Sequence, residues 1–379
     1  MRVVLFYHSL LSDWNNSMAH FLRGISMELL LRGHEVVVYE PRNAWSMQRL
    51  LAEHGHSPVA RFHGAYPGLA SRRYEARTLD LDSALSGADL VLVHEWCDAK
   101  LIKAIGLHRA LSGGYRLFFH ATHPTCINEP EKMARLDLTH YDGVLAAGSV
   151  IREQFLAEGW AQRAWTWHEA ADTRVFKPMP GLAPEGDLVW VGNWRDGERA
   201  VELHEFLVEP VQALGLKARV YGAGYTPEAI DALAAAGIEY GGWVPNFELP
   251  AVLARFKVAA HIPSRELARS APGLPTGHPL QALACGLPLV CGVWDDIDGL
   301  FRPGVDYGLA RDGDEMTGWL KVLLDNPDMA QWMARHGRST VQARHTCAHR
   351  VDELLSLMEV LPVAEAVEAP ARMALPLAV

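Results

Sequence analysis

The stretch PGLPTGHPLQALACGLPLV, residues 272–290, runs from a loop rich in glycine and proline through a short helix and a glycine stop into a buried apolar strand. Pro279 suits the first helical position and Gly286 suits the stop. The amides of such a helix point at whatever the GLPTG loop encloses, and they favour an anion; a diphosphate fits there. Prolines around Gly273 and Gly277 preorganise the loop and lower the ordering cost of binding. The plainer alternative is a strand–helix connection without chemistry.

Working outward, apolar runs alternate with amphipathic segments of helical period, the pattern of a parallel sheet covered by helices on both faces. LVWVG, ARVYG, IEYGGW, VAAHIP and LPLVCG predict one sheet; VVLFY, EVVVYE, LVLVHEW, YRLFFH, GVLAAG and AWTWHE predict another before it. Residues 170–187, AADTRVFKPMPGLAPEGD, break the alternation with prolines and glycines. The expected fold class is therefore α/β, with two Rossmann-like, doubly wound parallel-sheet domains facing across a cleft. The first spans 1–172, a linker 173–186, and the second 187–345; a helix follows over 346–360, then a mobile tail over 361–379. Ligands of such sheets bind outside the carboxyl ends of the strands, which places the site between the domains.

Composition narrows the chemistry. A chain of 379 residues, 49% hydrophobic and 21% charged, has enough material for two cores. A formal charge of -10 argues against a nucleic-acid binder, which needs a basic face. The five cysteines form neither a CxxC pair nor an even framework, so reduced, mostly buried thiols are expected. The amino terminus, MRVVLFYHS, has too few apolar residues for a signal peptide's core, and no run is long enough to span a bilayer. The expectation is a soluble, cytoplasmic protein with no integral membrane segment.

The turn after the first strand, YHSLLSDWNNSMAHF, lacks GxGxxG, so a dinucleotide is not expected there. Its polar loop, with Asp13 and Asn15, reads as a surface for another substrate or as a plain variable loop. In VWVGNWRDGER, Gly192, Asn193, Trp194 and Arg195 lie between a buried strand and a helix, where amides and a guanidinium stabilise an anion unless the arginine is simply solvated. Arg265 is a further phosphate ligand or a rim charge. HATHP puts His120 and His123 at a strand end, beside His94 and Glu95 at another and His168 and Glu169 at a third. These side chains either meet a substrate hydroxyl or are satisfied polar groups; HxxH on a loop is a poor metal motif, and no metal site is expected. WDDIDG, residues 294–299, reads as a turn with capping carboxylates. Of twelve tryptophans, Trp194 and Trp243 are expected at the cleft and the rest mostly in the core.

On the segments WHEAADTRVFKP, LVWVGNWRDGER, YGGWVPN, PGLPTGHPLQALACGLPLV, DDIDGLFRPGVDY and ARHTCAHRVDELL, the chain resembles glycosyltransferases of the GT-B fold. The likeness is to a CgeB-like, spore-maturation-type group related to glycosyltransferase family 4. The resemblance implies a nucleoside diphosphate sugar on the second domain, an acceptor on the first, a carboxy-terminal helix (346–360) that crosses back to the first domain, and no separate cofactor. Donor-binding residues would be Gly192, Asn193, Trp194, Arg195, Trp243, Val244, Arg265, Gly273, Leu274, Pro275, Thr276 and Gln281. Asp13, Asn15, His123 and His168 would lie on the acceptor side, with His120 and Arg195 catalytic.

Family 4 members commonly carry one acid against the transferred sugar and a second against the ribose; here those positions read Gly273 and Gln281. An amide can serve a ribose diol but without charge assistance. Ala121 and Pro124 stand where an acid and a further histidine are expected. The expected activity is metal-independent, hexosyl-type transfer to an acceptor hydroxyl, with retention favoured by the resemblance and His120 the base if configuration inverts. The alternatives are a nucleotide-sugar-binding protein without transfer and a sugar-nucleotide epimerase of the same fold.

Overall fold

The computed structural model describes residues 1–16, 18–194, 199–270, 272–273 and 277–361. The tail expected from 361 lies, beyond its first residue, outside the described residues. The first sheet has seven strands: β1 (Arg2–Phe6), β2 (Glu35–Pro41), β3 (Ser71–Tyr74), β4 (Leu90–His94), β5 (Arg116–Ala121), β6 (Gly143–Ala146) and β7 (Ala164–Thr166). The second has six: β8 (Gly186–Val191), β9 (Ala218–Tyr221), β10 (Ile238–Tyr240), β11 (Phe256–His261), β12 (Leu289–Cys291) and β13 (Gly308–Leu309). All their pairings are parallel.

The strands read as unbroken apolar runs because both faces are covered. In β1, Val3 and Leu5 join one core cluster and Val4 and Phe6 the opposite one. The first cluster includes Leu22, Ile25 and Leu29 of the helix Met18–Leu31, and also Val351, Leu354 and Met358 of the last helix, Cys347–Val360. That last helix comes after the second sheet yet packs against the first half. Its Asp352 pairs with Arg32 at 2.6 Å, and the Arg350 carbonyl accepts from Trp167 Nε1 at 2.9 Å. The chain thus crosses between the halves twice. The crossings touch: Ala171 and Thr346 form a parallel bridge, with Ala171 N to His345 O at 2.9 Å and Cys347 N to Ala171 O at 3.1 Å.

Strand order fixes where a ligand can enter. The first sheet runs β3-β2-β1-β4-β5-β6-β7 and the second β10-β9-β8-β11-β12-β13, so the winding reverses between β1 and β4, and between β8 and β11. Loops leaving two such strands part in opposite directions and open a crevice at their carboxyl ends. The crevice-forming segments therefore start at Tyr7, Glu95, Gly192 and Ile262.

Candidate active site

A cleft of about 590 Å³ joins both crevices. Its second-half wall includes Gly192 and Asn193 after β8, Ile262 to Ser264 after β11, and Arg199, Trp243, Val244 and His278. The turn after β8 is tightly determined. A Cβ on Gly192 would collide with the Trp190 ring, the Gly192 carbonyl accepts from Tyr225 Oη at 2.9 Å, and Asn193 Oδ1 accepts from Ala223 N at 2.9 Å. The Arg199 guanidinium lies 5.4 Å from the Trp190 ring centre and donates to the Ile262 carbonyl, which carries the cation to the cleft floor. Burial lowers the His278 imidazole to about 4, so it is neutral at pH 7.

On the first-half wall stand Trp45, Trp96, His123, Asn128 and Glu129. His123 is held from behind. Glu95 Oε1 accepts from the backbone amide of His123 at 2.7 Å and lies 3.2 Å from His123 Nδ1, while the Thr122 hydroxyl donates to the same oxygen at 2.8 Å. Burial opposes charge on Glu95, but the hydrogen bond and field of His123, with His94 and the Thr122 amide, hold its carboxyl below the usual range. The imidazole also packs on Trp96, ring centres 4.4 Å apart. A carboxylate behind one ring nitrogen leaves the other for a substrate hydroxyl, the geometry of a general base.

His94, Glu95 and His123 have ligand atoms within 4.8 Å of one another, the one such group among the described residues. Their hydrogen bonds converge on Thr122 Oγ1, at 2.9 Å from His94 Nε2, 2.8 Å from Glu95 Oε1 and 2.8 Å from His123 Nδ1. A cation at that point would have to displace the hydroxyl. His94 Nδ1 already accepts from Trp96 N at 3.2 Å, which puts the ring proton on Nε2, pointing at Thr122.

Several residues expected at the site have other work. His120 is 1% exposed, bonded to the Tyr7 hydroxyl at 2.6 Å and packed by Phe21 and Trp167; burial lowers it to about 3, and it does not line the cleft. On the first-half wall, the imidazole that lines the cleft is His123. His168 bonds Asp298 across the halves at 2.8 Å, and Asp298 also takes the Ser149 amide at 3.0 Å, so this pair ties the halves together away from the cleft lining. Asp13 and Asn15 do line the cleft, but the Asp13 carboxylate serves Arg23 at 2.7 Å and the Asn246 amide at 2.8 Å, and Asn15 accepts from Asn193.

On the donor side, Trp194 packs on Tyr225, ring centres 5.7 Å apart, instead of facing the cleft. Arg265 is an exposed partner of Glu205, with its amide on Glu202 at 3.1 Å. Gly273 has φ +78°, and a Cβ there would lie 2.5 Å from Ile297 Cγ1, so a side chain at this position, an acid included, is strained. Gln281 is buried and accepts from Asn246 Nδ2 at 3.1 Å; it lines a water-sized void of about 20 Å³, not the cleft. Arg195, Leu274, Pro275 and Thr276 lie outside the described residues. Gly192, Asn193, Trp243, Val244 and His123 are the expected residues that line the cleft with Asp13 and Asn15.

The helix of the opening stretch runs Gly277–Ala284, so Pro279 falls third, inside the first turn where its missing amide proton is harmless. A Cβ on Gly277 would lie 2.5 Å from His20 Cε1 and 2.9 Å from Glu169 Oε2. The first half therefore presses a carboxyl against this helix start. Glu169 is 7% exposed, its Oε2 has no hydrogen-bond partner among the described residues, and burial pushes it up to about 8. At neutral pH it is predominantly protonated.

Residues 198–356 match a family described as glycosyl transferase-like. Among curated proteins, none matches the chain by sequence. Solved structures match nearly its whole length. Anabaena HepE in complex with UDP superposes with a TM-score of 0.65, at 13% identity, over 95% of this chain and 100% of that one. An alpha-glucosyltransferase in complex with UDP and a 13-mer DNA containing an HMU base gives 0.67, at 11% identity, over 95% and 99%. The fold is GT-B. Sucrose-phosphate synthase from Thermosynechococcus elongatus aligns similarly, TM-score 0.63 at 12% identity, over 95% of this GT-B chain and 99% of the synthase. Among the described residues no helix is long and apolar enough to cross a membrane.

Proposed function

We propose that this GT-B chain is a hexosyl-transferring glycosyltransferase of the CgeB-like, family 4-related kind, moving a sugar from a nucleoside diphosphate sugar to an acceptor hydroxyl without a metal. The observation that carries the reading is the single cleft shared by both switch points, with a cation and a strand-to-helix turn on one wall and a backed imidazole on the other. Anabaena HepE has been solved with UDP and glucose, and the alpha-glucosyltransferase with UDP-glucose and DNA.

The diphosphate lies along the turn at Gly192 and Asn193 and against Arg199, with Arg195 and the 274–276 segment kept as phosphate ligands from the sequence; Trp243 and Val244 border the base. The acceptor hydroxyl attacks the anomeric carbon as the bond to the leaving phosphate oxygen breaks, and cationic and amide donors stabilise the charge that develops there. With retention, the leaving phosphate takes the acceptor's proton. A second reading, inversion, is favoured by one observation: His123, backed by Glu95 at 3.2 Å, is placed to take that proton itself. Convergence of the His94, Glu95 and His123 group on a threonine hydroxyl supports metal independence. A net charge of -10 supports an acceptor other than nucleic acid. The cytoplasm is the proposed location.

A thermal-shift panel of UDP, GDP, ADP and dTDP, followed by donor turnover with and without EDTA, tests the proposal. One nucleotide should raise the melting temperature selectively, and turnover should survive chelation. No stabilisation by any of the four would sink the donor assignment; loss of activity in EDTA restored by Mn would sink the metal-free mechanism. The anomeric configuration of the product, read by proton NMR, decides between retention and inversion.

A further inference from the structure

Two indoles on the first-half wall have no role in the reading above. Trp45 opens a helix, Trp45–His54, and is 40% exposed; Trp96 follows the switch-point strand β4 by two residues. Their ring centres are 6.0 Å apart with planes at 52°, and both line the cleft. Each is braced from behind or beside: Trp45 by His8 at 4.8 Å, Trp96 by His123 at 4.4 Å. Burial lowers His8 to about 4, so a neutral ring supports the platform. Large aromatic surface left open to water inside a cleft is costly unless a ligand covers it.

Resting on the transferase reading, we propose that the acceptor is a saccharide whose ring lies on the Trp45–Trp96 platform, with the attacking hydroxyl directed to His123. A pyranose is amphipathic: its ring C–H bonds gather on a face and its hydroxyls radiate from the edge. The C–H face meets the electron-rich face of an indole. The edge hydroxyls need hydrogen-bond partners at the rim, and Asn128 and Glu129 border the same wall. His123 fixes the register, because it touches Trp96 and faces the cleft, so a ring stacked on the platform brings an edge hydroxyl to its free nitrogen.

The test uses the full chain saturated with whichever nucleoside diphosphate stabilises it. Methyl glycosides of glucose, galactose, mannose and N-acetylglucosamine are the probes, p-nitrophenol is the aromatic comparison, and saturation-transfer NMR is the readout. At least one glycoside should show transfer concentrated on the C–H protons of one ring face. Trp45→Ala and Trp96→Ala should each weaken that glycoside about ten-fold, the scale of an aromatic contact plus its burial, while Trp45→Phe retains most of it. Calorimetric affinity for the nucleoside diphosphate should be unchanged in all three variants, which also reports that they fold. Glycosides that show no transfer while the nucleotide still binds overturn the proposal, as does binding of p-nitrophenol alone, or alanine variants that hold the glycoside as well as the native chain. Failure of the nucleotide to bind the native chain would strike the transferase reading instead.

Discussion

At the scale of single residues, Glu169 has the most measurable behaviour. Its carboxyl is held against the start of the helix Gly277–Ala284 with an ordinary value of 4.5 raised to about 8 by burial. Between those values the unfolded chain has lost the proton and the folded chain keeps it, so stability falls as pH rises through this window and the full penalty is present above it. Glu169→Gln removes the titration without changing the shape. Relative to the native chain, the variant should gain on the order of 3 kcal/mol between pH 5 and pH 8.5, followed by urea melts at each pH. Parallel profiles for the two proteins would mean that Glu169 ionises normally. Gln281, by contrast, is uncharged and buried, with its side-chain oxygen accepting from Asn246 Nδ2 at 3.1 Å.

At the scale of elements, the clamp built on Arg23 ties the loop after β1 to the second half. Its side chain is fully buried, donating to the carbonyls of Leu10 at 2.8 Å and Leu11 at 3.0 Å and to Asp13 at 2.7 Å, and stacking on Phe62, Tyr66 and Phe247. Asp13→Ala strips the one carboxylate from a buried guanidinium, and such losses cost about 3–5 kcal/mol. The prediction is a destabilisation of that size in denaturant melts; a loss under about 1 kcal/mol would show that water or another acid replaces Asp13. The elements themselves were legible, since runs such as VVLFY and LVLVHEW can only be strands buried on both faces. That same double burial hid the site. With no polar face to set the alternation, HATHP does not reveal that His120 points into the core against Tyr7 and Trp167 while His123, past the strand's end, turns to the cleft. Trp96 was within reach, because it follows a switch-point strand; Trp45 was not, because its position depends on where the loop after β2 travels. The partners of Asp13 and His168 lie across the halves, and that of Gln281 lies 35 residues away in the chain, separations that no local pattern encodes.

At the scale of the molecule, the last helix follows the second half in the chain and packs against the first. Cys347, Val351, Leu354 and Met358 are all buried, and Gly24 leaves room for the Cys347 sulfur where a Cβ would collide with it. Deleting residues 347–361 would uncover the matching face of the helix Met18–Leu31. At roughly 1.5–3 kcal/mol per large apolar side chain, the loss is comparable with the whole stability of a domain. The truncated chain should be insoluble, or melt at least about 15 °C below the full chain by circular dichroism, given ~2–4 °C per kcal/mol in a domain of this size. A melting temperature within a few degrees of the full chain would show that the first half stands without its strap.

The paired crossings at Ala171 and Thr346 have a mechanical meaning. A single flexible connector would let the halves slide, twist and separate independently. Two backbones, bonded at 2.9 and 3.1 Å on either side of one residue, remove most of that freedom and leave bending about a short common axis. On the proposed transferase reading, closure of the cleft by such bending would carry His123 and the indole pair toward the reacting carbon together. Substitutions in this ply that touch no ligand should therefore alter turnover and apparent substrate affinity together.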